Sequence, residues 1–160
     1  MEILKIVIQV IGYGVTWAFV HHGWKVANAQ NFRRDERKEL RDLVTDICDA
    51  IRNVEADVVS FLAAADEPKT SSYWTVHFGV RQVNTSLVTC SVLDTARIRN
   101  ALLSYRQTLT GKVIQGPQSA LPTGVARDTA LRDTSKAGAD LIRELESRYR
   151  ELYPFSQKKP

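Results

Sequence analysis

From Ile3 to Val20 nearly every position of the chain is apolar, and only Lys5 and Gln9 are strongly polar. Extended through His21, His22, Gly23 and Trp24, the stretch comes to about 22 residues. At 1.5 Å per residue that is roughly 33 Å of helix, against a hydrocarbon core of about 30 Å. Residues 1–26 therefore read as a single transmembrane helix, with Trp24 and Lys25 where an interfacial anchor belongs.

Beyond residue 26 the spacing changes. Leu40, Val44, Ile47, Ile51, Val54, Val58 and Phe61 recur in alternating steps of four and three, which marks a narrow coiled-coil-like seam; a strand would need a period of two. No Gly or Pro interrupts the chain between Ala27 and Pro68. The spacing predicts a first helix from about Ala27 to Ala65, continuous with the apolar span. Asp66 to Thr70 breaks it, and Ser71 or Ser72 can cap the next helix.

That second helix carries Val76, Val80, Val83, Leu87 and Cys90 at helical spacing, with Tyr73, Trp74 and Phe78 adding aromatic bulk. A strand from Trp74 to Val80 is the alternative, since Thr75-Val76-His77-Phe78-Gly79-Val80 alternates imperfectly. After a break near Asp94, a third helix has the seam Thr95, Ile98, Leu102, Tyr105 and Leu109, with Gly111 as its C-cap. Residues 112–123, containing Gly116, Pro117 and Pro122, make the longest loop. The fourth helix shows Leu131, Ser135, Gly138, Ile142, Leu145, Tyr149 and Leu152 and stops at Pro154. Its small residues Ser135, Ala137, Gly138 and Ala139 would admit a close neighbour. The expected fold is all-α: an N-terminal single transmembrane helix followed by an antiparallel four-helix bundle with coiled-coil-like packing over residues 27–160.

Composition narrows the picture. With 160 residues, 44% hydrophobic and 25% charged, the chain suits one domain and excludes collagen-like, low-complexity and wholly disordered classes. The mean hydropathy of −0.23 conceals the apolar start. The net charge of +4 falls short of a dedicated nucleic-acid binder. Its layout matters more than its sum: Lys25, Arg33, Arg34, Arg37, Lys38 and Arg41 follow the span, whereas only Lys5 and the amino terminus precede it. By the positive-inside rule the N-terminus faces outward and the bundle lies in the cytoplasm, at a plasma or inner membrane. Arg143, Arg148, Arg150, Lys158 and Lys159 end the fourth helix. Antiparallel topology would bring them beside the first set as a juxtamembrane basic collar for anionic lipid headgroups, or as a plain topology signal. A nucleic-acid groove using Arg97, Arg99 and Arg106 is opposed by the interleaved acids Asp35, Glu36, Glu39, Glu144, Glu146 and Glu151.

Within the span, Gly14 with Ala18 and Gly12 with Thr16 form small-xxx-small pairs, a contact face through which two membrane helices could associate. An alternative is a cleaved signal peptide with Ala27-Asn28-Ala29 as its cleavage site, leaving an exported, periplasmic bundle; Glu2 and the basic run at Arg33 and Arg34 oppose it. A buried or interfacial helix of a soluble protein is a third reading. Cys48 and Cys90 are equidistant from Lys69, so an antiparallel hairpin would place them level. They would bridge if exported and stay as small buried hydrophobes in a reducing compartment.

Chemistry-bearing patterns are lacking. His21, His22 and His77 form no metal-ligand spacing with either cysteine, and no H-E-x-x-H, C-x-x-C, G-x-S-x-G, Walker lysine or G-x-G-x-x-G motif occurs. Asp42, Asp46 and Asp49 share a helix face offset from the seam and read as a solvated stripe. The expectation is therefore no catalytic, cofactor-binding or metal site. It is a membrane-anchored helical interaction module acting by self-association or partner recruitment, or alternatively a membrane-active effector whose oligomerised N-terminal helices perturb the bilayer.

Overall fold

The computed structural model describes residues 2–63, 70–113 and 122–154; the side chains of residues 2–16, 18, 19, 29, 30 and 70–72 lie outside the description. Among the described residues all regular structure is helical: α1 (Glu2–Ala63), α2 (Thr70–Thr89), α3 (Ala96–Lys112) and α4 (Gly124–Leu152). The strand considered over Trp74 to Val80 is instead part of α2. The chain forms two units, Met1–Leu40 and Arg41–Pro160, and α1 belongs to both. Residues 27–40 of the stretch assigned to the bundle thus belong to the first unit.

In the second unit the heptad seam of α1 is the core. Val44, Ile47, Ile51, Val54, Val58 and Phe61 are all buried, joined by Cys48 and Leu62. Burying a side chain of this kind stabilises by roughly 1.5–3 kcal/mol relative to exposure. Val76, Val80, Val83 and Leu87 of α2 and Ile98, Leu102, Tyr105 and Leu109 of α3 close around it.

Contacts fix the topology as a ring of neighbours. Arg41 meets Glu146 at 2.9 Å, and further along α1 the Gly138 Cα faces Ile51 and Glu55, so α1 and α4 are antiparallel. Arg97 with Glu151 and Lys112 with Asp133 make α3 and α4 antiparallel as well. Asn84 of α2 accepts from Arg106 of α3, and Gly79 of α2 backs onto Val54 of α1. A Cβ on Gly79 would lie 2.6 Å from Val54 Cγ2, so this glycine sets how closely α2 approaches α1.

Several expected details are corrected. Ser71 and Ser72 do not cap α2, which already includes Thr70. Thr95 is no seam residue: its hydroxyl accepts from Ile98 N at 3.3 Å and caps α3. Gly111 is not the C-cap, because α3 runs on to Lys112 and ends at Val113, whose side chain is buried. Trp74 and Phe78 add nothing to the core, being 43% and 58% exposed. The buried stripe of α4 is Ala130, Thr134, Ala137, Gly138, Leu141, Leu145 and Tyr149. Over its first half this lies one residue away from the expected register, and Ser135 is exposed while Leu131, Ile142 and Leu152 are half-buried. The physical reason is close approach: small side chains face α1, and larger ones are pushed to the flanks. The breaks expected over 66–69 and most of the loop 112–123 lie outside the described residues.

Candidate functional site

Two regions bear on function, and each is described by itself. In the first unit, Trp17, Val20 and Trp24 follow helical steps of three and four and so share a face of α1. They are 72%, 65% and 65% exposed. Trp17 and His21 meet edge to face with ring centroids 5.5 Å apart. Val26 and Phe32 are exposed too. His22, Lys25, Arg33, Arg34 and Lys38 stand exposed and Arg37 half-buried along the same helix. Trp side chains combine a large apolar body with an N–H donor, and long cations reach outward from apolar stems, so this mixture suits a membrane–water boundary. The contact face Gly12, Gly14, Thr16 and Ala18 lies outside the described side chains. Among the described residues no helix is long and apolar enough to cross a membrane.

In the second unit the residues expected in the basic collar are Arg41, Arg148 and Arg150, with Arg143 nearby. Arg41 donates two hydrogen bonds to the Glu146 carboxylate at 3.0 and 2.9 Å, and its guanidinium lies 5.1 Å from the centroid of the Tyr149 ring. Those bonds to Glu146 hold the Arg41 pKa above its ordinary value, outweighing partial burial. Arg148 donates to the Val92 carbonyl at 3.2 Å and pairs with Glu151, tying α4 to the α2–α3 connection. Arg143 pairs with Asp140, and Arg150 is exposed. Arg41 and Arg148 are therefore structural cations of the bundle.

Cys48 is buried, Cys90 is half-buried at the end of α2, and both are free thiols. Burial pushes the Cys48 thiol up, which makes it a poor nucleophile. Asp42, Asp46 and Asp49 are exposed, as a solvated stripe should be. Among the described residues no three His, Cys, Asp or Glu side chains gather as a metal site.

One feature escaped the sequence: a polar layer inside the bundle. Glu55 is half-buried with its carboxylate where a Cβ on Gly138 would fall. Burial raises its pKa, and Arg52 only partly offsets this. Tyr105 is fully enclosed, and its phenol pKa is pushed well up by burial first and by the Glu55 charge second. Neither the Tyr105 hydroxyl nor the buried Thr134 hydroxyl has a hydrogen-bond partner among the described residues. Glu55 and Thr134 line one cleft of about 460 Å³ between α1 and α4, together with Arg52, Val59, Leu131 and Ser135. Among the described residues the layer brings together one carboxyl, whose proton affinity is raised by burial, and two hydroxyls. Heptad patterning gives no hint of it, because Glu55 sits beside the seam and reads as a surface acid.

No protein-family model matches this chain, and no curated protein and no solved structure matches it either.

Proposed function

We propose that this chain is a single-pass membrane-anchored interaction module, with its N-terminus outside and its helical bundle on the cytoplasmic face. The observation that carries the reading is the exposed row Trp17, Val20 and Trp24 on α1, immediately before Lys25. A contiguous apolar face of this kind marks a membrane or partner surface. The row lies at the end of the apolar stretch from Ile3 to Trp24, which has hydrocarbon-core length and a single charge, Lys5.

On this reading Trp24 sits at the inner boundary, and Lys25, Arg33, Arg34, Arg37 and Lys38 face anionic headgroups, each adding about 1 kcal/mol of attraction near the surface. Gly12, Gly14, Thr16 and Ala18 provide the face for helix–helix association within the bilayer, which gives the module a route to a homo-oligomer. The bundle then presents its outer surface to a protein partner. Interaction rather than catalysis is supported by the sequence, which carries none of the recognised nucleophile, metal or nucleotide motifs.

Alkaline carbonate extraction of membranes from cells expressing the full chain tests the anchor. The protein is expected to remain in the membrane pellet, and to leave it when Val7, Val10 and Val15 are all replaced by Asp. Release of the unaltered chain by carbonate or by salt overturns the reading.

A further inference from the structure

The charges of the bundle are unevenly divided. Neither α2 nor α3 contains a single Asp or Glu, whereas together they carry Arg81, Arg97, Arg99, Arg106 and Lys112. Among the described residues of the second unit, Arg41, Arg52, Arg97, Arg99, Lys112, Arg127, Arg143 and Arg148 each pair with a carboxylate, whereas Arg132, Lys136 and Arg150 on α4 do not. Arg81 and Arg106 have no carboxylate partner among the described residues. Both line one cleft of about 310 Å³ between α2 and α3, with His77, Val80, Asn84 and Thr110.

The lining sets two guanidiniums and an imidazole beside the apolar Val80. Val80 is itself buried. Arg106 Nη1 makes only a long bond, 3.4 Å, to Asn84 Oδ1, which leaves most of both guanidinium forks unused. The Thr110 hydroxyl donates to the Arg106 carbonyl at 2.9 Å, so its proton is already used and Thr110 adds no donor to the cleft. His77 joins this cleft to a row of aromatic rings. Its centroid lies 5.7 Å from Trp74 and 6.2 Å from both Tyr73 and Phe78. Trp74 and Phe78 are large, apolar and exposed, and each lies against His77 of the lining.

We infer that the α2–α3 cleft binds the phosphate group of an organic phosphate, held by Arg81, Arg106, His77 and Asn84, with the ligand's apolar part lying against Trp74 and Phe78. Two guanidinium forks suit a phosphate because its oxygens accept paired, charge-assisted hydrogen bonds. With no acid on either helix, nothing on these elements competes for the forks. The adjoining aromatic surface gives affinity to the non-phosphate part and distinguishes the ligand from a bare anion. The same group is offered by a soluble phosphomonoester and by a lipid headgroup.

The test is calorimetric titration of the full chain in detergent with inorganic phosphate, adenosine 5′-monophosphate and succinate, beside flotation with phosphatidylcholine vesicles with and without phosphatidic acid. The nucleotide is expected to bind more tightly than inorganic phosphate, and succinate hardly at all. Arg81→Gln and Arg106→Gln should each weaken nucleotide binding by about tenfold, the scale of one lost charged hydrogen-bond pair, while Arg150→Gln leaves it unchanged. Phe78→Ala should weaken the nucleotide and spare inorganic phosphate. If only phosphatidic acid vesicles bind, and less so with Arg81→Gln or Arg106→Gln, the phosphate is a lipid's and the site stands. Both arginines are exposed, so the variants are expected to keep the parent melting temperature; were either to unfold, Arg106→Lys and Phe78→Ala carry the same readout. Equal binding of succinate, binding indifferent to Arg81 and Arg106, or no saturable binding of any of these probes overturns the assignment.

Discussion

Glu55 is the residue at which burial and charge conflict most directly in this bundle. Its folded pKa lies above its ordinary value of 4.5, because desolvation disfavours the carboxylate. Below that ordinary value both folded and unfolded chains are protonated, and the side chain costs nothing. As pH rises through it, the unfolded chain loses its proton first, so stability falls until the folded carboxyl has ionised too. Glu55→Gln is expected to flatten the decline in melting temperature over this interval, measured by circular dichroism from pH 4 to 7. An unchanged profile would mean the carboxyl is well solvated. Tyr105 poses the simpler problem of a buried hydroxyl without a partner among the described residues. Removing such a group removes its desolvation cost, so Tyr105→Phe should leave stability unchanged or raise it by up to about 1 kcal/mol in urea denaturation. A loss instead would show that the hydroxyl is bonded in solution. Neither residue announced its role in the sequence. Tyr105 read as ordinary seam and nothing in the spacing singled out Glu55, because hydropathy spacing records where a side chain is and not whom its polar atoms meet.

Among the elements, α1 to α3 were largely legible because their seams are built from Val, Leu, Ile and Phe in steps of three and four. Of the α1 seam residues in the second unit, each one expected to be buried is buried. In α4 the spacing places Gly138, Leu145 and Tyr149 correctly but is one position off elsewhere, since Ala130, Thr134 and Ala137 carry little hydropathic weight and Leu131 and Ile142 outweigh them. What buries those small residues is the proximity of α1, a tertiary fact. The same logic makes Gly79 a sensitive point. Its replacement by Ala would place a methyl against the stiff, buried Val54 side chain. Overpacking costs about 1–3 kcal/mol and improved helix propensity returns about 1, so Gly79→Ala should lose about 1 kcal/mol in thermal or urea unfolding. Gain of stability would mean that α2 can move away from α1 at little cost. The α2–α3 cleft could not be read from either helix alone, because Arg81 and Arg106 belong to different seams' outer faces and meet only when the helices pack.

For the molecule as a whole, chain order separates an apolar, aromatic and basic first unit from a bundle whose own cations are mostly paired. Arg41 and Arg148 bond between elements of the bundle, and the proposed anchoring assigns the headgroup role to Lys25, Arg33, Arg34, Arg37 and Lys38. The all-helical architecture was evident from spacing, whereas the division at Leu40 was marked only by the start of the seam there, since α1 passes through it without a Gly or a Pro. The decisive measurement is labelling of intact cells with a membrane-impermeant maleimide, using Glu2→Cys and Val125→Cys separately in a Cys48→Ala, Cys90→Ala background. Val125 suits this because its side chain is 83% exposed. The account predicts that Cys at position 2 is labelled in intact cells and that Cys at 125 is labelled only after lysis. Labelling at 125 in intact cells would place the bundle outside and contradict the membrane-anchored, inward-facing module.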